Sequence, residues 1–200
     1  MPNPYDPQGA TPDAVSRIFD LYDTPLWLVT ACDGERRGGL IATSVTRASI
    51  VDSLPRMLIV IARHHHTWRL IQSSHRCALH LMAATDLEAV WRFGLPTGHE
   101  VDKLAGLDPA ATPDGNPLYG DAVAWMDGRL EFAADIGDRS LFLLQIVGGS
   151  VLHEAPVLNL DRLMRDAPPE RRRELDRLYA RDQRIDAAAI RSWRDSAQAD

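Results

Sequence analysis

Up to residue 152 the chain is a succession of short apolar runs, each closed by Gly, Asp or Pro, and this pattern restricts it to a small antiparallel strand assembly. The runs are Trp27 to Cys32, Gly38 to Ser44, Met57 to Ala62, Cys77 to Ala83, Ala122 to Ala134 and Ser140 to Leu152. Asp33-Gly34 and Gly137-Asp138 read as turns, and Gly148-Gly149 as a bulge or bend. The second run, Gly38-Gly-Leu-Ile-Ala-Thr-Ser44, is rich in small residues, which lets something approach its backbone.

Helical signals are short and lie between the strands. Thr11-Pro12-Asp13 reads as a helix start, with the helix running to about Tyr22, and Thr67 to Ser73 forms another. Thr85-Asp-Leu-Glu88 is a capping box opening a helix through Trp91 and Phe93. From Gly94 to Gly120 prolines and glycines break the pattern, apart from one helical turn over His99 to Leu104, and a loop of that length suggests function. Beyond Pro156 the residues fall at helical spacing, with Pro168-Pro169 restarting the helix. The apolar stripe of this tail is expected to pack on the strands or on a second subunit. The expected organisation is a disordered lead-in over 1–11, a strand domain over 12–155 and a helical C-terminal extension over 156–200.

Composition narrows the function classes. With 45% hydrophobic and 25% charged residues in 200, one soluble domain with a sizeable core is expected. A formal charge of -6 argues against nucleic acid and anionic membranes as partners. No apolar stretch approaches the roughly 20 residues a bilayer requires, and no secretory signal is evident at the N-terminus, so a cytoplasmic location is expected. Cys32 and Cys77 sit in apolar runs and read as free thiols.

The common nucleotide-binding and hydrolase motifs are absent. His64-His65-His66 cannot converge on one metal ion, since consecutive side chains point in different directions, and no metal site is expected. Charge distribution is more informative. Between Ser53 and Thr85 there is no Asp or Glu, whereas Arg56, Arg63, Arg69, Arg76 and five of the seven histidines fall there. This basic island includes a strand end at Ala62 and a helix start near Thr67. Free backbone N–H groups, a threonine hydroxyl and Arg63 can therefore converge on a phosphate.

In these features the chain resembles the flavin reductase family of FMN-binding split barrels, from about Leu26 to Val151. The matching segments are Trp27-Leu-Val-Thr-Ala-Cys-Asp-Gly34, Gly39-Leu-Ile-Ala-Thr-Ser-Val-Thr-Arg-Ala-Ser49, Ile59-Val-Ile-Ala-Arg-His-His-His-Thr67, Cys77-Ala-Leu-His-Leu-Met82, Gly98-His-Glu-Val-Asp-Lys103 and Gly115-Asn-Pro-Leu-Tyr-Gly120. The resemblance implies a mainly β fold with peripheral α, an FMN-binding split β-barrel with helical additions and a helical C-terminal tail. It implies a homodimer with one FMN per subunit near the interface. Ala42, Thr43, Ser44, Val45 and Thr46 would bind the polar edge of the flavin ring. Ser49, Arg63, His64 and Thr67 would hold ribityl and phosphate, and His99 and Lys103 lie in a loop that closes over the cofactor.

The implied activity is hydride transfer from NADH or NADPH to flavin. The flavin carries the chemistry, so no catalytic side chain is expected, and a monooxygenase partner could consume the product. Two departures from the family pattern matter. A single proline, Pro55, follows Ser49 at a distance, which gives the flavin loop a different path. Arg139 stands after Gly137-Asp138, where many reductases carry histidine, which keeps open the alternative of an FMN-binding electron carrier of flavoredoxin type. Lys103 is the only lysine among 22 Lys and Arg residues. Its ammonium is expected to touch FMN, the alternative being a surface lysine paired with Glu100 or Asp102.

Overall fold

The computed structural model describes residues 12–107 and 109–197; the expected lead-in and the Thr11 cap lie outside them. Seven strands form one antiparallel sheet: β1 (Trp27–Asp33), β2 (Arg36–Ala42), β3 (Val45–Arg47), β4 (Arg56–Ala62), β5 (Arg76–Leu81), β6 (Ala124–Asp135) and β7 (Arg139–Val151), in the order β2-β1-β5-β6-β7-β4-β3. The two edge strands, β2 and β3, are consecutive in the chain and separated only by Thr43 and Ser44. The sheet therefore curls into a half-barrel that is split between them. The fold is mainly β with helices at the periphery and a C-terminal helix, as expected.

β1 explains why its sequence is continuously apolar. Val29 and Ala31 face the barrel interior with Ile59, Leu79, Phe142 and Leu144, whereas Leu28 faces a second core with Leu26, Met82 and Phe93. A strand buried on both faces loses polar alternation. The second core is closed by α3 (Leu87–Gly94) and by residues of the tail, Leu158, Leu163, Leu175 and Leu178. The tail forms α4 (Leu160–Asp166) and α5 (Pro169–Ala197), and its apolar stripe packs on the barrel.

Several local readings are refined. The first helix, α1 (Pro12–Phe19), ends before Tyr22. β3 was not apparent in the sequence, because three residues are too few to show alternation. The N-cap of α3 is Asp86 rather than Thr85: its carboxylate accepts from Ala89 N at 3.2 Å and from the Tyr119 hydroxyl at 2.5 Å. An ionised carboxylate is the stronger acceptor for a free helix N–H. Near Gly148-Gly149 the register between β6 and β7 shifts, because Asp127 pairs with Gly148 but Gly128 with Ile146.

The small residues of β2 admit the protein's own helices. α2 spans His66–Ser74, and a Cβ on Gly38 would lie 2.9 Å from His66 Nδ1 and 3.2 Å from Leu70. One on Gly39 would lie 3.0 Å from the Phe93 ring. The approach expected at this strand is thus made by α2 and α3.

Candidate functional site

The split of the barrel creates a groove. Ser44 O accepts from Val60 N at 3.0 Å, which fixes the Thr43-Ser44 link against β4. Beside it lies a mostly apolar groove of about 720 Å³, lined by Thr43, Ser44, Val45 and Thr46 together with Trp27, Met57 and Met126. Its volume falls in the range of about 300–1,000 Å³ common for small-molecule sites. Thr43, Ser44 and Thr46 are exposed, while Ala42 and Val45 are buried and hold the link in place. Trp27 Nε1 is buried and has no hydrogen-bond partner among the described residues. A buried N–H without an acceptor is costly in a finished structure.

Past Val60 the chain reaches Ala62 and turns into α2. His65 occupies the N-cap position without a side-chain cap bond, and no acid stands in the first turn of α2. This helix start is therefore suited to an anion. It borders a small pocket of about 80 Å³ lined by His64, His65, His66, Thr67, Gly98 and Lys103. That space is too small for a flavin ring and suits a compact group. Val60 and Arg63 are three residues apart along the chain, so groove and turn lie roughly 10 Å apart at strand rise.

The basic island carries less charge than its spelling suggests. Burial and the neighbouring His64 push His65 down to about 4, and burial followed by His99 lowers His66. The His64 and His65 rings pack at 4.4 Å, and His64 also faces Asp182 and Asp186 of α5, while His66 turns away against Gly38 and Gly98. Two of the arginines, Arg63 and Arg56, are engaged elsewhere. Arg63 pairs with Asp135 at 2.5 Å and stacks over Trp68 at 5.7 Å, and Arg56 pairs with Glu131 at 2.7 Å. Arg63 therefore points to the β6–β7 hairpin, and the expected convergence of Arg63 with the α2 N–H groups does not occur.

Lys103 is buried, at 8% exposure, and donates from Nζ to Phe93 O at 2.6 Å. Burial pushes its pKa down to about 8. The surface pairing with Glu100 or Asp102 is replaced by this contact, and Asp102 binds Arg37 instead, at 3.2 Å. His99 Nε2 lies 3.0 Å from His64 O, and its ring meets His66 edge-on at 5.4 Å. The His99–Lys103 loop thus closes over the turn at His64–Thr67.

The expected residues fall into separate places. Ala42 to Thr46 form the groove, and His64, Thr67, His99 and Lys103 gather at the turn. Ser49 lies beyond β3, at the opposite end of β4 from Arg63, where its Oγ accepts from Val51 N at 3.0 Å. β4 separates them by roughly 20 Å, so Ser49 does not join Arg63 and Thr67 within one chain. Sequence reasoning missed Trp27, Met57 and Met126, whose apolar type gave no sign of facing a groove. It also missed Asp182 and Asp186, which are distant in sequence.

The model of the flavin reductase-like domain matches residues 19–167. A probable flavin reductase of Rhizobium meliloti is 25% identical over 133 residues, 66% of this chain and 41% of that protein. The chain spans 56% of the length of two further relatives. Among solved structures, a flavin reductase domain protein from Arthrobacter superposes with a TM-score of 0.67 at 19% identity, covering 74% of this chain and 90% of that one. An FMN-binding protein from Thermus thermophilus gives 0.63 at 23% identity, covering 75% and 80%. With the family model covering most of the split barrel, the chain belongs to the flavin reductase-like family.

Proposed function

We propose that the protein binds FMN in the groove beside Thr43–Thr46 and transfers hydride from NADH or NADPH to flavin, as a cytoplasmic homodimer. The observation that carries this reading is the groove itself: an apolar hollow with exposed hydroxyls on one wall, lined also by Trp27, whose buried N–H has no partner among the described residues. A flavin ring has an apolar face and an edge of alternating donors and acceptors, and these residues fit both. Bound FMN supplies the redox chemistry. Thr43, Ser44 and Thr46, with the backbone of Ala42 to Thr46, orient the polar edge. Met57 and Met126 exclude water from the ring face. The α2 start at His64–Thr67 holds the phosphate, and Lys103 supplies positive charge behind it. The barrel over 12–155 carries the site and 156–200 is an extension to it. A monooxygenase partner that consumes reduced flavin is compatible with this reading.

A second reading, an FMN-binding electron carrier without its own nicotinamide site, is favoured by one observation. Arg139 is tied to Asp138 at 3.1 Å and to Asp186 at 2.6 Å, under α5. Anaerobic titration of the FMN-loaded protein separates the two. Bleaching of the flavin by NADH or NADPH is expected, and failure with both nucleotides would leave the carrier. Failure to take up FMN would overturn both.

A further inference from the structure

The family match ends at residue 167, and α5 begins at Pro169, so this helix lies beyond the matched domain. It lies across the anion-suited turn and presents carboxylates to it. Asp182 Oδ1 is 3.7 Å from His64 Nε2, and Asp186 Oδ1 is 3.8 Å from His64 Nδ1. Asp186 also pairs with Arg139 at 2.6 Å, and Asp182 and Arg181 border the small pocket beside Lys103. The acid that the sequence lacks between Ser53 and Thr85 is supplied here from more than a hundred residues away.

The two ends of α5 are attached differently. Its first half is anchored by Leu175 and Leu178 in the second core and by Arg171 over the Trp91 ring at 5.9 Å. From Asp182 onward the contacts are the carboxylates, Ala189 and Trp193 at Gly137, and the half-buried Ala187 and Ile190, while Ile185 and Trp193 stay 43% and 41% exposed. The contact between His64 and the carboxylates is also incomplete. His64 Nε2 and Asp186 Oδ1 are buried without hydrogen-bond partners among the described residues. A buried polar contact with unsatisfied atoms does little to hold the helix in place.

We infer that the C-terminal half of α5 is a lid on the anion site, with Asp182 and Asp186 standing where a ligand phosphate would sit. An anionic ligand and the lid compete for His64 and the start of α2. The lid therefore lifts as phosphate enters and lowers the affinity for phosphorylated ligands in particular. This rests on the proposed function only for the identity of the phosphate carrier.

The test uses the full chain and two arms. In the first, affinities for FMN and for riboflavin, which lacks the phosphate, are compared in wild type, in Asp182→Asn/Asp186→Asn and in Asp176→Asn/Asp195→Asn. The last removes the same charge from exposed positions of α5. The first variant is expected to bind FMN about tenfold tighter with riboflavin unchanged, and the second to match wild type. In the second arm, amide hydrogen exchange over 182–196 is followed with and without inorganic phosphate, which is expected to accelerate it in wild type alone. Equal FMN affinity in all three proteins, each folded by circular dichroism, would overturn the lid. An equal gain for riboflavin, or in the Asp176/Asp195 variant, would overturn it too. If phosphate loosens α5 while none of the proteins takes up FMN, the lid stands and the flavin reading falls.

Discussion

The groove at Thr43–Thr46 and the turn at His64–Thr67 both adjoin β4, yet they are built in opposite ways. The groove is open, mostly apolar and carries one buried donor without a partner. The turn is small, polar and already covered, with Lys103 on Phe93 O, His99 on His64 O and the α5 carboxylates over His64. The comparison shows that a ring can enter the first without rearrangement of the chain, whereas an anion must displace something at the second. If the lid acts as proposed, selectivity for the phosphate end of a ligand is set by the helical tail more than by the barrel.

The largest expected effect is on the support of the turn. Phe93 of α3 is fully buried against β2, and its carbonyl holds Lys103. Phe93→Ala is expected to lower unfolding free energy by about 3–5 kcal/mol in urea titration. A loss below about 1 kcal/mol would show that α3 does not brace this region.

The covered histidine gives the next effect. The folded-state pKa of His65 is about 4 against a usual 6.5, so the unfolded chain takes up the proton first as pH falls. Its contribution is complete above pH 6.5 and declines toward pH 4, amounting to about 3 kcal/mol. His65→Gln should flatten this slope in denaturant titrations at several pH values. A residual slope is expected from His80, which burial also holds at about 4 inside the barrel. An unchanged slope would mean that the turn is open to water, like the groove.

Lys103 sharpens the contrast by its sign. Burial holds its amine at about 8 in the folded chain against 10.5 unfolded, so wild type should gain stability as pH rises from 8 to 10.5. Lys103→Met should lack that gain and be more stable at pH 7 by about 2 kcal/mol, the relief from desolvation being offset by the lost bond to Phe93 O. It should also bind FMN more weakly, which marks a residue kept for binding at the expense of stability. Lower stability of the variant at pH 7 would make Lys103 purely structural.

The smallest effect belongs to the groove. Trp27→Phe removes a donor without a partner among the described residues, so thermal unfolding should shift by less than about 1 kcal/mol. FMN affinity should fall about three- to tenfold, the worth of one hydrogen bond. A fall in stability without a fall in affinity would show that the Trp27 N–H does not face a ligand.

The sequence by itself determined the strand assembly, the Thr43–Thr46 link and the helical tail, because turns and periodicity are local properties of the chain. Gly34 and Gly137, legible as turn residues, adopt φ of 61° and 99° as their positions demand. A side chain on Gly137 would also strike Trp193 of α5, a second requirement that the sequence does not display. Charge was legible as spelling and misleading as a field. The island from Arg56 to Arg76 looked unopposed, yet Glu131, Asp135, Asp182 and Asp186 meet it in space. Only the tertiary structure decided which cations remain free, since Coulomb interactions depend on distance through space and burial decides protonation. It also decided that the small residues of β2 face α2 and α3, and that Trp27 faces a groove, because long-range packing determines which face of a strand is covered.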